Sequence, residues 1–208
     1  MEVVIPKPIW SGMDVYIIGG GPSLKDFDWN LLSGKKTIGC NDAYQLGYEV
    51  CKVCVFGDIK WYTSHKGSLA SYKGIIYGAE PSLINKAVDS RIKLLKRYAK
   101  GICTDGVGWN GNTGMVALNL AILLGASRIY LLGFDMKRTK EHSNWHVNNL
   151  DKNPDSVYKK FLDWSKYVKQ DWNNKFPHIE IFNITDDSDL DIFPKVSPKE
   201  FWLRKKTA

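Results

Sequence analysis

The chain has 208 residues, of which 44% are hydrophobic and 25% charged, a composition typical of a globular protein with a sizeable core. Four cysteines are too few for a disulfide-stapled scaffold, and no apolar run approaches the roughly 20 residues of a membrane-spanning helix. We expect a single domain over residues 1–208, located in the cytoplasm, because the first residues do not resemble a secretory signal. The formal charge of +7 allows phosphate-bearing partners, nucleic acid among them.

Short β-rich runs alternate with helical patterns along the chain. The predicted strands are Val15–Gly19, Thr37–Asn41, Val53–Gly57, Gly74–Tyr77, Arg128–Leu132 and Glu180–Asn183. The predicted helices are Gly114–Leu124, which is almost wholly apolar, and Asp155–Trp172, which is amphipathic. This alternation predicts an α/β fold with one doubly wound, mostly parallel, Rossmann-like sheet. The stretch 79–111 has a weak pattern, and we expect a small lid or insertion there.

The first predicted strand runs directly into a turn of three glycines. The residues of this turn are Gly19, Gly20, Gly21, Pro22 and Ser23. Glycine lets a phosphate or a ribose approach the backbone closely and tolerates a positive φ, so bare N–H groups here would form a nucleotide-binding loop. The turn matches neither G-x-G-x-x-G nor the P-loop pattern, and a tight strand exit without a ligand is the alternative.

Polar residues also follow the other predicted strands and open the apolar helix. They are Asn41, Asp42, Asp58, Asn112, Thr113, Gly114 and Asp135. Each alone also fits a helix cap or a turn. Because the carboxyl ends of parallel strands meet at one edge of a sheet, and because a helix N-terminus attracts anions, we expect these residues to share one nucleotide-binding site.

Two histidines, His142 and His146, lie in a polar stretch that follows the strand Arg128–Leu132. Histidine titrates near neutral pH, so one of the pair is a candidate acid–base catalyst. Zinc binding is a weaker alternative, since the stretch lacks a helical pattern that would place both on one face. The acidic run 186–191 lacks the glycine and the closing glutamate of an EF-hand loop, and we assign no metal site.

Taken together, these segments carry a resemblance to a known group of proteins. The segments are Ile18–Leu24, Cys40–Asn41, Val55–Asp58, Asn112–Gly114, Ile129–Asp135 and the pair His142 and His146. They resemble the bacterial sialyltransferases built on one Rossmann-type domain with a lid. They equally resemble a neighbouring family that includes motility-associated glycosyltransferases and an archaeal hydroxymethylpterin pyrophosphokinase. Within that group the chain looks most like the small stand-alone members that are frequent in bacteriophage genomes.

The resemblance implies a glycosyltransferase that uses a nucleotide-sugar donor, linked to CMP or another nucleotide. The acceptor would be a hydroxyl on a glycan or on a modified DNA base, and Mg²⁺ is not expected to be essential. The residues that the resemblance places on the nucleotide are Gly20, Gly21, Asn41, Asp58, Asn112, Thr113 and Gly114. It makes His146 the general base, and we keep Asp58 and His142 as further catalytic candidates.

The chain departs from the sialyltransferase pattern at two places. Asp58 stands where those enzymes carry an asparagine, and Met136–Lys140 contains none of the tyrosines that stabilise the leaving phosphate there. A basic residue, Lys137, Arg138 or Lys140, is expected to substitute by charge.

Other functions also fit the sequence. One is a Mg²⁺-dependent pyrophosphokinase or nucleotidyltransferase in which Asp58 or Asp135 holds the metal. Another is a phage glycosyltransferase that acts on modified DNA bases and tracks phosphates with its basic surface. A scaffold protein that has kept the fold is a third. Self-association is a further expectation, because Trp202 is expected to be exposed near the carboxyl end.

Overall fold

The computed structural model describes residues 2–84, 86, 88–139, 144–146 and 154–207. Its strands are β1 (Val3–Val4), β2 (Asp14–Ile18), β3 (Lys36–Cys40), β4 (Val53–Phe56), β5 (Ile75–Gly78), β6 (Ile92–Leu95), β7 (Arg97–Tyr98), β8 (Val107–Gly108), β9 (Arg128–Leu132) and β10 (Glu180–Asn183). Its α-helices are α1 (Ile59–Leu69), α2 (Thr113–Leu123), α3 (Asp155–Lys175) and α4 (Pro198–Thr207). Short 3₁₀ helices cover Pro22–Leu24, Trp29–Leu32, Asn41–Leu46 and Pro81–Leu83. Within these ranges no helix is long and apolar enough to cross a membrane.

The described strands build a parallel eight-stranded sheet in the order β1-β6-β5-β4-β3-β2-β9-β10. The chain moves outward from β2 to β6 and then returns to β9, on the other side of β2. The strand order therefore reverses between β2 and β9, and ligands of open α/β sheets bind at the carboxyl side of such a point. The predicted α/β, Rossmann-like fold is confirmed.

The sheet is covered on both faces, as the alternation along β2 shows. Val15 and Ile17 belong to the core that contains α2, whereas Tyr16 and Ile18 belong to a second core on the opposite face. Successive side chains of a strand point to opposite faces, so an all-apolar strand needs cover on both. The helix α2 is apolar all round because it is itself enclosed in the first core.

Part of the stretch 79–111 belongs to the central sheet. The strand β6 lies between β1 and β5. Its sequence, Ile92-Lys93-Leu94-Leu95, is short and interrupted by an exposed lysine, which hid it from the sequence pattern. We expected an insertion or lid over this stretch, and residues 92–95 are instead an inner strand. The smaller sheet of β7 and β8 follows, and it leads the chain to the start of α2.

The expectation that Trp202 is exposed is wrong. Its exposed fraction is only 9%, because α4 packs against the second core. The indole stacks on Tyr16 with 6.0 Å between ring centroids, and it also contacts Phe27 and Phe201. The connection between β2 and β3 contains only short 3₁₀ helices, so this face of the sheet takes part of its cover from the carboxyl-terminal helix.

Truncation of Trp202 should therefore destabilise the fold. We expect Trp202→Ala to lower the free energy of unfolding by about 3–5 kcal/mol, as for other buried aromatic truncations. Trp202→Phe is the matched control, because it keeps an aromatic ring and removes an indole N–H that has no hydrogen-bond partner among the described residues. Urea denaturation of the three proteins checks this, and equal stability of Trp202→Ala and wild type would contradict the packing.

Candidate functional site

A cavity of about 590 Å³ opens at the carboxyl edge of the sheet. The predicted site residues that line it are Gly19, Gly20, Gly21, Asn41, Asp42, Asp58, Asn112, Thr113, Gly114 and His146. Residues separated by more than a hundred positions in the chain thus meet at one place. Pro22, Ser23 and Asp135 lie outside this lining, at a neighbouring pocket. His142 lies outside the described residues.

The glycine turn is shaped by close packing against the end of β9. The N–H groups of Gly19 and Gly21 donate to the carbonyl oxygens of Leu132 and Gly133, each at 2.8 Å. None of the three glycines of the turn has a positive φ. A Cβ atom on Gly21 would overlap the carboxylate of Asp135, so glycine is needed here for space. The expectation of bare N–H groups is therefore wrong for these two glycines.

Asp135 holds the end of the glycine turn through Ser23. Its carboxylate is buried and accepts hydrogen bonds from the backbone N–H of Ser23 at 3.0 Å and from its hydroxyl at 2.8 Å. Burial raises the pKa of Asp135, and the hydrogen bonds from Ser23 offset part of this rise. Ser23 and Asp135 were predicted to contact the nucleotide. In the structure these two residues instead hydrogen-bond to each other.

Asn41 combines a strained backbone with an unsatisfied side chain. Its φ is +51°, in the left-handed region, which asparagine tolerates better than most residues. Its Oδ1 atom is buried and has no hydrogen-bond partner among the described residues. A buried acceptor without a donor costs about 1–3 kcal/mol. Strain and an orphaned acceptor at a cavity wall favour a ligand that donates a hydrogen bond there.

The N-terminus of α2 faces the same cavity. Asn112 caps this helix, and its Oδ1 accepts from the backbone N–H of Met115 at 2.9 Å. Thr113 and Gly114 form the first positions of the helix and line the cavity. A Cβ on Gly114 would come within 2.8 Å of the Phe134 ring, so glycine allows this close approach. The positive end of the helix dipole favours an anion at this wall.

Asp58 is the N-cap of α1. One oxygen of its carboxylate accepts from the backbone N–H groups of Lys60 at 2.7 Å and of Trp61 at 3.0 Å. This role alone explains an acidic residue at the position. Asp58 therefore lies at the cavity wall. Its catalytic role stays a prediction.

His146 is held between the glycine turn and a buried carboxylate. Its Nδ1 lies 3.1 Å from Oδ2 of Asp42, whose side chain is 3% exposed. Next to it, the backbone N–H and the indole N–H of Trp145 donate to Gly20 and Gly19 at 3.1 and 2.9 Å. A Cβ built on Gly20 would lie 4.0 Å from Nε2 of His146. The ring of His146 thus lies at the cavity, with Nδ1 beside a carboxylate and Nε2 near Gly20.

Several lining residues were missed by the sequence analysis as site residues. They are Cys40, Lys60, Ser64, His65, Trp109, Gly111, Gly133, Phe134, Met136, Asn144, Tyr158 and Phe161. The aromatic members give the cavity flat apolar walls of the kind on which bases and sugars stack. The signal for His65 was available, because Asp58 as an N-cap predicts a helix that carries Trp61 and His65 on one face.

The basic residues that were predicted to replace the missing tyrosines lie in different places. Lys137 lines the cavity and pairs with Asp187 and, at 3.5 Å, with Asp189 of the acidic run. The hydrogen bond to Asp187 raises the pKa of Lys137, which therefore keeps its charge. Arg138 pairs instead with Asp155 at 3.1 Å and lies outside the lining, and position 140 is outside the described residues.

In the described ranges no three His, Cys, Asp or Glu residues cluster as a metal site.

The fold and cavity define an α/β protein of the Rossmann-like type with its candidate site at the switch point of the sheet. The structure is similar to that of the sialyltransferase CstII from Campylobacter jejuni in complex with cytidine-5'-monophosphate, with 20% identity and a TM-score of 0.51. That match covers 90% of this chain and 86% of the other. A second CstII structure, with CMP-3FNeuAc, gives 17% identity and a TM-score of 0.50 over 89% and 86% of the two chains.

This similarity is found in the structure and has no counterpart in the sequence comparisons. No protein-family model matches the chain, and no curated protein is significantly similar to it in sequence. At this identity the similarity shows a shared sialyltransferase-like fold.

The burial of Asp135 gives the protein a pH-dependent stability. A carboxyl whose pKa is raised on folding stabilises the protein in its protonated form, so this contribution is lost as the pH rises from the unfolded value of 3.8 through the raised one. The Asp135→Asn variant has no carboxyl to ionise, and its amide oxygen still accepts from the N–H of Ser23. At neutral pH this variant should therefore be at least as stable as the wild type. Asp135→Ala should cost about 1–3 kcal/mol, because it leaves the turn without its partner.

Urea denaturation at two pH values, one acidic and one neutral, checks this pair of variants. If Asp135→Asn were as destabilising as Asp135→Ala at neutral pH, the ionised carboxylate itself would be required, and the interpretation above would be wrong.

Proposed function

We propose that the protein is a transferase that moves a sugar from a nucleotide-linked donor, CMP-linked in the first instance, to an acceptor hydroxyl. The observation that carries the proposal is the cavity that joins the orphaned acceptor of Asn41, the N-terminus of α2 and the pair of Asp42 and His146. The similarity to CstII, whose structures contain CMP and CMP-3FNeuAc, supports the choice of donor.

The walls of the cavity suit the parts of such a donor. The orphaned oxygen of Asn41 would accept a hydrogen bond from a ribose hydroxyl or from the base. The rings of Trp109 and Phe134 offer apolar surface to the base or the sugar. The positive end of α2, together with Lys60 and Lys137, would stabilise the phosphate. We therefore propose that transfer continues when divalent cations are chelated.

The chemistry requires one proton transfer and one substitution. The acceptor oxygen would attack the sugar carbon that is joined to the donor phosphate, while Nε2 of His146 takes the hydroxyl proton. The bond between that carbon and the phosphate oxygen breaks, and CMP leaves with both electrons. The configuration at the carbon is inverted. Asp42 would stabilise the imidazolium that forms, and His146 then returns the proton to solvent.

Nucleotide binding is the first test. Thermal denaturation with CMP, UMP, GMP and ATP, each with Mg²⁺ and with EDTA, compares the bases and the metal requirement. We expect CMP to raise the melting temperature in both conditions, since a ligand at a hundred times its Kd stabilises by about 2.7 kcal/mol. A shift with ATP and Mg²⁺ alone would contradict the proposal and favour a pyrophosphokinase.

Removal of the base should abolish turnover and leave binding intact. We expect His146→Ala to reduce kcat by about 10²- to 10⁴-fold, with nearly unchanged affinity for CMP, because the ring acts on the acceptor proton. His178→Ala is the matched control, since His178 is exposed and lies outside the cavity lining. Transfer from the CMP-sugar donor that shifts the melting temperature most provides the measurement. Wild-type turnover by His146→Ala would exclude the general-base role.

A further inference from the structure

Asp42 is a buried carboxylate placed between two histidines. Its Oδ1 accepts a hydrogen bond from the indole N–H of Trp61 at 2.8 Å and lies 2.8 Å from Nε2 of His65. Its Oδ2 lies 3.1 Å from Nδ1 of His146. The three side chains form an array that begins on α1 and ends at the cavity, where Asp42 and His146 are in close contact. His65 belongs to none of the motifs described above, and the similarity to CstII gives it no role.

The surroundings of His65 determine its protonation. Its Nδ1 lies 2.8 Å from the backbone carbonyl oxygen of Trp61, and a carbonyl can only accept. Its Nε2 faces the carboxylate of Asp42, which also accepts. Both ring nitrogens therefore face acceptors, and only a doubly protonated ring can donate to both at once. The Trp61 indole stacks on this ring at 4.5 Å and 12°, and an aromatic face stabilises a cation.

We propose that His65 and Asp42 are positioning residues for His146. The positive ring of His65 attracts the buried carboxylate of Asp42 and fixes its orientation. The carboxylate in turn holds a proton on Nδ1 of His146, so that Nε2 presents its lone pair to the cavity. The positive charge of His65 also limits how tightly His146 keeps a second proton, which lets the base return that proton to solvent. The role of this array in catalysis rests on the transferase function proposed above.

The other titratable groups around the array are the same in the wild type and in the variants used below. The titratable neighbours are Cys40, Tyr44, Cys54, Asp58, Lys60, Lys137 and Tyr158. Burial raises the pKa of the Cys40 and Cys54 thiols and of Tyr44, so these three stay neutral near neutral pH. Asp58, Lys60 and Lys137 line the cavity in the wild type and remain unchanged in the variants used below.

The protonation states can be read directly in the full chain without any donor. Long-range ¹H–¹⁵N correlation spectra report which imidazole nitrogens carry protons, and the chain has only 4 histidines to assign. At neutral pH we expect both nitrogens of His65 to be protonated and His146 to carry its proton on Nδ1. A neutral His65, or His146 protonated only on Nε2, would overturn the proposal.

Two variants separate the charge of His65 from its hydrogen bond. His65→Gln keeps an N–H donor for Asp42 and removes the charge, so His146 should keep its Nδ1 proton and take up its second proton at a higher pH. Asp42→Asn should make His65 neutral and remove the Nδ1 preference of His146. His178→Gln, at an exposed site, is the control and should change neither signal. An unchanged titration of His146 in His65→Gln would count against the proposal.

Turnover gives an independent readout. For Asp42→Asn we expect kcat to fall by about 10²- to 10⁴-fold with the KM for the donor unchanged. For His65→Gln the acidic limb of the kcat profile should move to higher pH. If Asp42→Asn fails to fold, the wild-type spectra and the titration of His146 in His65→Gln still test the proposal. A wild type that transfers no sugar would refute the proposed function while leaving the spectra as the test of the array.

Discussion

The candidate site depends on the backbone contact between the glycine turn after β2 and the end of β9. Gly19 and Gly21 donate to carbonyl oxygens of that strand end, and a side chain on Gly21 would overlap Asp135. Trp145 then binds two carbonyl groups of the same turn, which places His146 beside Gly20. The position of the proposed base thus follows from a turn whose glycines are needed for close packing, and whose N–H groups at 19 and 21 are already used.

The electrostatics of the cavity divide it into two regions. At one wall the dipole of α2 creates a positive region that suits a phosphate. On another, Asp42 accepts a hydrogen bond from the indole of Trp61 and lies 2.8 and 3.1 Å from ring nitrogens of His65 and His146. A buried carboxylate without such partners would be costly and would repel a nucleotide. In the proposed function, this separation would let one cavity hold both an anionic donor and a proton acceptor.

The similarity to CstII concerns the fold, so the function of this chain has to be argued from its own side chains. Asp58 caps α1, so an acidic residue at this point has a structural reason. No tyrosine lies in the stretch 136–140, yet Tyr158 reaches the cavity from α3. The acidic run near the carboxyl end pairs with Lys137 and hydrogen-bonds to the block around Asp135. Function in such folds is decided by residues of this kind, since one fold serves many reactions.

The sequence alone was sufficient for the fold class and for the edge of the sheet where the candidate residues gather, because alternation, glycine turns and helix caps are local signals. It missed β6 and the cover that α4 provides, since a four-residue strand with a lysine and a short polar helix carry little periodicity. Only the tertiary structure paired Ser23 with Asp135, buried Trp202 and placed Asp42 between His65 and His146. Such contacts join residues far apart in the chain, and no local pattern encodes which partner a buried polar group will find.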